Sequence, residues 1–174
     1  MKLRKRLKGR GGFSLAECLV ALLILSMMSS VACMGIATAL EDRAKAIAIA
    51  DAQSVAATAA QALGDQIRYG QISGVDTEYI ELTSSTYGNQ VTLKLDDGRL
   101  VAENAAGTQY PLLGEKAYSG LTIEGIAFTA DPDPLGDEVH AVSLTLSVGG
   151  ESGTLWTLED YTVAPMNTRI VTGP

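Results

Sequence analysis

Between Phe13 and Leu40 the chain carries one side chain that is charged at neutral pH, Glu17, and from Cys18 to Leu40 it carries none. A carboxylate at the start of so apolar a run is costly to place in lipid. Either it rests at headgroup level, where it is harmless, or it meets a specific cation. The best local candidate is an amine that a cut between Gly12 and Phe13 would create. Such a cut would give Glu17 a cation to pair with.

Other reactive groups are sparse. The single histidine, His140, begins a strand pattern with no Cys, Ser or Asp motif around it and reads as a surface or edge histidine. Cys18 and Cys33 both lie in the apolar run, about 22 Å apart along a helix, too far to bridge within one chain. They read as small buried hydrophobes. Asp131, Asp133, Asp137 and Glu138 sit on a proline-stiffened acidic loop. Such carboxylates suit Ca²⁺, but aspartate is common in turns for local reasons, so the loop is a weak calcium candidate and no metal is expected. Trp156 and Tyr161 read as core or sheet face. There is no phosphate-binding, dinucleotide-binding, zinc-protease or serine-nucleophile motif. An enzyme and a cofactor are therefore not expected, and no residue is assigned as catalytic.

The surrounding elements are set by charge and hydropathy. Six of the thirteen cations fall in Met1–Gly12, with no acid among them, which leaves seven cations against twenty acids in the rest. A basic stub before an apolar run is a membrane-targeting pattern, with the stub cytoplasmic and the bulk of the chain outside. About 20 apolar residues cross a hydrocarbon core of roughly 30 Å, and a lone segment satisfies its backbone there only as a helix. The net charge of −7 and pI near 4.6 argue against direct nucleic-acid binding. Glu41 to Tyr69 continues in helical style. It is rich in alanine, with one apolar stripe at Val55, Ala59, Leu63 and Ile67 and a slimmer one at Ala48, Ala52 and Ala56. The pattern predicts one helix from about Ser14 to Tyr69, about 80 Å long, with Gly64 fraying its end and Gly70 stopping it.

At this point the residues themselves carry a family resemblance. Gly12-Phe13-Ser14-Leu15-x-Glu17, behind a short basic leader and ahead of Leu-Val-Ala-Leu-Leu-Ile-Leu, resembles the type IV prepilin signature shared by pilins, minor pilins, and the pseudopilins of type II secretion and competence. The likeness covers about residues 4 to 40, under a quarter of the chain. It implies cutting after Gly12 by a prepilin peptidase, N-methylation of the new terminus at Phe13, and pairing of Glu17 with the Phe13 amine of a neighbouring subunit. It also implies other pilin-like subunits and an inner-membrane assembly platform as partners, and an extracytoplasmic filament as destination. The sequence departs from the commonest major-pilin pattern. No proline precedes Pro111, so Gly35 with Ser29 and Ser30 is the nearest weak point of the helix, and Val20-Ala21 looks more like a minor subunit. The rival reading is a secreted or lipid-anchored binding module, with an ordinary signal peptide ending at Ala37-Thr38-Ala39 or a lipid attached at Cys33. The Glu17 charge and the overlong apolar region count against it.

After Gly70 alternation replaces the helical period. Strands are expected at Glu78–Thr83, Gln90–Leu95, Arg99–Glu103, Leu121–Thr129, Ala141–Val148 and Thr154–Thr162. Asp96-Asp97-Gly98 marks a hairpin and Gly149 to Gly153 a turn. The fold class is α+β and pilin-like: a long N-terminal helix, transmembrane in its first half, packed on an antiparallel sheet. The segments are a leader over 1–12 that is cleaved, a membrane or filament-core helix over 13–40, an amphipathic continuation over 41–70, and a β-rich head over 71–174.

Overall fold

The computed structural model describes residues 14–132, 139–150 and 153–166. The chain divides into two compact units, Met1–Lys45 and Ala46–Pro174. One helix, α1, spans Leu15–Tyr69 and contributes to both.

In the first unit α1 is apolar on every side from Cys18 to Leu40, and all its described residues are exposed. Its most apolar stretch has a mean hydropathy of 2.3 with none of it buried, and it is the one helix among the described residues long and apolar enough to cross a membrane. A helix hydrophobic all round is a membrane or core element rather than a solvated one. Three of its hydroxyls are satisfied within the helix. The hydroxyls of Ser26, Ser30 and Thr38 donate to the carbonyls of Leu23, Met27 and Met34 at 2.8, 2.8 and 3.0 Å. The helix continues through Gly35 without interruption.

The second unit is built on the remainder of α1. Ala52, Val55, Ala56, Ala59, Ala60, Leu63, Gly64 and Ile67 are buried, so both expected stripes merge into one face, with Ala48 at its half-buried margin. Gly64 does not fray the helix. It sits inside it, where an added Cβ would lie 3.4 Å from Val163 and 3.5 Å from Tyr161. Both are ordinary contact distances, so Gly64 packs beside the last strand as part of the helix face. Gly70 ends α1, its N–H donating to the Gln66 carbonyl at 2.8 Å.

The head is antiparallel, as expected, but holds two sheets instead of one. The first is a five-stranded meander of β1 (Gln71–Val75), β2 (Tyr79–Ser84), β3 (Gly88–Asp96), β4 (Arg99–Asn104) and β5 (Gln109–Pro111). The second contains β6 (Thr122–Pro132), β7 (Val139–Gly150) and β8 (Gly153–Val163) in that order. Asp96 pairs with Arg99 across Asp97 and Gly98, whose φ angles are 45° and 72°. Two positive values in a two-residue loop are the geometry that the twist of a hairpin prefers. The sheets are joined through β6. The Ile123 N–H donates to the Gly98 carbonyl in the β3–β4 turn, and the Phe128 N–H to the Thr77 carbonyl in the β1–β2 turn.

The core collects the α1 face, the inner residues of the first sheet (Ile80, Leu82, Val91, Leu93, Leu100, Ala102) and those of the second. On β7 the alternating Val142, Leu144, Leu146 and Val148 are all fully buried. Tyr161 is half-buried against this core, and Trp156, on the edge strand β8, is 37% exposed. Gly149, Gly150 and Gly153 are strand residues, with Gly150 paired to Gly153. That leaves only Glu151-Ser152 of the expected turn between the strands, outside the described residues.

Candidate functional site

The site is the start of α1. Ser14 lies just outside the helix and Leu15 is its first residue. The Ser14 N–H donates to the Glu17 Oε2 at 2.9 Å, and the Glu17 N–H donates to the Ser14 Oγ at 3.3 Å. These reciprocal bonds form a capping box, which satisfies backbone donors that the first turn leaves without partners. The Glu17 charge also faces the positive end of the helix dipole. Along the same flank Ala16, Val20, Ala21 and Ile24 complete a shallow apolar hollow of about 340 Å³ with Glu17 on its wall. Glu17 is thus exposed, with its carboxylate folded back onto the Ser14 N–H. Gly12 and Phe13 themselves fall outside the described residues. Ser14 was not singled out from the sequence. Its signal was a Ser three residues before a Glu, directly ahead of an apolar run.

The remaining candidates scatter. Cys18 and Cys33 are free thiols on the exposed surface of α1, not buried as expected. The reason is that no described residue packs over this part of the helix. Asp131 is exposed on β6, while Asp133, Asp137 and Glu138 lie outside the described residues. Among the described residues no group of three or more metal-ligating side chains comes together. His140 is exposed on β7, at the surface but on a central strand.

In the head the clearest charge pairing joins the Lys94 Nζ to the Glu103 Oε2 at 2.7 Å, with the Gln109 Nε2 donating to the same oxygen at 3.0 Å. The bond from Lys94 holds the Glu103 carboxyl below its ordinary range, helped by Gln109. The same bond to Glu103 raises Lys94. A lowered carboxyl stabilises the fold at neutral pH and loses that contribution as pH falls through the lowered value. The raised Lys94 loses its part only as pH rises through its own raised value. Thermal melts across the acid range are therefore expected to show a shallower loss of stability in Glu103→Gln than in the native chain. Identical acid limbs would show that the pair does not contribute. The effect is small, because both groups are partly exposed and screened.

With this geometry in hand, comparison with known families is informative at one place. Residues 7–32 match the family model described as the prokaryotic N-terminal methylation motif. The chain carries the type IV prepilin-type signature. The matched span contains the capping box and the first half of the exposed apolar helix, so motif and structure mark the same segment. The apolar helix that follows fits a single-pass membrane anchor. The motif implies processing by a prepilin peptidase and assembly with other pilins. No curated protein and no solved structure matches the chain.

Proposed function

We propose that this pilin-like protein is a minor pilin or pseudopilin, a structural subunit of a type IV pilus-like filament. Residues 1–12 are a cytoplasmic leader removed after Gly12, and Phe13 becomes the N-methylated terminus. Residues 13–40 anchor the precursor in the membrane with the head outside, and later pack in the filament core. Residues 41–70 join that segment to the head over 71–174. Glu17 receives the Phe13 amine of a neighbouring subunit, since two charges that are each costly in lipid cost less together and so select a register. Function then resides in assembly, either priming a filament tip or moving secreted protein or DNA outward. The acidic head disfavours direct contact with DNA.

The observation that carries this reading is the methylation motif over residues 7–32 coinciding with a helix start whose one carboxylate caps the Ser14 N–H. Helices packed side by side form a heterologous assembly that need not close, which is how a filament grows. Gly12→Leu is expected to leave full-length precursor in the membrane, because a branched side chain fills the groove that glycine leaves open. Mass spectrometry of the membrane fraction checks this. Normal trimming of Gly12→Leu would remove the peptidase from the account.

A further inference from the structure

We propose that the outer edge of β8 is a docking site for an extended segment of another protein, one that alternates apolar with polar residues and carries cations beside Glu159 and Asp160. The inference does not depend on the filament reading.

Four strands form the edges of the two sheets, β1 and β5 in the first and β6 and β8 in the second. An open edge invites a further strand, and proteins blunt it with short strands, bulges, prolines, charges or covering loops. Three of the four edges are blunted. β5 is three residues long and ends in Pro111. β1 has five residues, and its register breaks between Ile72 and Gly74. The outer edge of β6 is spent on the first sheet, through the bonds from Ile123 and Phe128 to the turns at Gly98 and Thr77. β8 differs. It runs for eleven residues, and among the described residues no backbone bond reaches it from outside its own sheet. From Thr154 to Leu158 it holds no charge, proline or glycine.

This edge is also held ready. The Thr154 hydroxyl donates to Glu124, which reaches across Gly149, where an added Cβ would collide with its carboxylate. Thr157 and Thr162 bond through their hydroxyls to Ser147 and Ser143 at 3.3 and 3.0 Å. A strand fixed in place costs little ordering when a partner adds to it.

The side chains on the edge describe the occupant. Trp156 and Leu158 stand opposite the buried Val148 and Leu146. Trp156 remains 37% exposed, so the core beneath this sheet is unfinished at β8. An added strand whose alternate residues are apolar extends that core, and its other residues lie beside Thr157 and Thr162. Glu159 and Asp160 are exposed and form no ion pair among the described residues. β8 has no cation of its own. A second copy of β8 would bring like charges together, which disfavours self-pairing. A segment bearing Lys or Arg is matched to the edge instead.

The test titrates the full chain in detergent with the peptide Lys-Val-Thr-Val-Thr-Val-Lys and follows the emission of Trp156, the single tryptophan of the chain. The expected result is a saturable blue shift as the ring leaves water. Replacing both lysines of the peptide by glutamate is expected to weaken binding about tenfold. Methylating its alternate backbone nitrogens, which removes ladder donors, is expected to weaken it by about tenfold or more. Glu159→Lys is expected to reverse the order of the lysine and glutamate peptides. No shift with the lysine peptide would overturn the proposal. Equal binding of the methylated peptide would overturn strand addition, and an unchanged order of preference in Glu159→Lys would overturn the charge match.

Discussion

Glu17→Ala is expected to be trimmed like the native chain and to be missing from filaments. Trimming survives because the scissile bond lies five residues before Glu17 and because the Ser14 hydroxyl still caps the residue 17 amide. Assembly fails because the neighbour's Phe13 ammonium would then enter an apolar environment with no counter-charge. An unpaired charge at the centre of a membrane helix costs roughly 3 kcal/mol on insertion scales, enough to reduce an equilibrium more than a hundredfold. The readout is the amount of variant in sheared filaments relative to its membrane pool. Incorporation at the native level would remove the charge-pairing argument while leaving the prepilin signature in place.

The second large effect belongs to the head. Leu63 is fully buried on the α1 face, in a core to which both sheets contribute. Truncation to alanine removes buried surface and leaves a cavity. Leu63→Ala is expected to destabilise the folded head by about 2–5 kcal/mol. That is a large share of the roughly 5–15 kcal/mol available to a domain. Chemical unfolding in detergent, followed by the fluorescence of Trp156, measures it. A loss below about 1 kcal/mol would be too small for a closely packed leucine and would mean that the helix face is not the centre of the core. Glu41→Ala, on the exposed part of the same helix, serves as the control and is expected to change stability little.

How much of this was legible depends on the kind of signal each element carries. Val55, Ala59, Leu63 and Ile67 declare a helical face because every one of them is buried at a spacing of four. The strand β7 was legible because its buried residues alternate without a break. By contrast β1 and β5 have almost no periodic signal. In β1 one of five residues is fully buried and Gly74 interrupts the pattern, and β5 is three exposed residues ending in Pro111. Their place is fixed by neighbours. Ile72 pairs with Leu82, and Tyr110 pairs with Ala102. The division into two sheets was not legible either, because it depends on which strand β6 pairs with, a long-range choice that local alternation does not encode. Gly64 misled for a related reason. Local propensity marks it as a weak helix residue, while its burial on the α1 face beside Tyr161 and Val163 keeps it inside the helix.

At the candidate site the balance is reversed. Gly12, Phe13 and Glu17 were legible because a charge inside a long apolar run needs a physical reason. Ser14 was overlooked because serine is unremarkable there until its bond partners are known. The two cysteines show the opposite limit: an apolar context suggests burial, but among the described residues nothing packs over that part of the helix.

The central claim is that this chain is made as a membrane-held precursor and cut before Phe13 to free the amine that Glu17 is placed to receive. The most direct measurement is the N-terminus and intact mass of the protein recovered from membranes of cells that contain the peptidase. The account predicts a chain that begins at Phe13 and is heavier than its sequence by one methyl group. A chain that begins at Cys33 with an attached lipid, or just after Ala39, would contradict it and make the protein an anchored or secreted module.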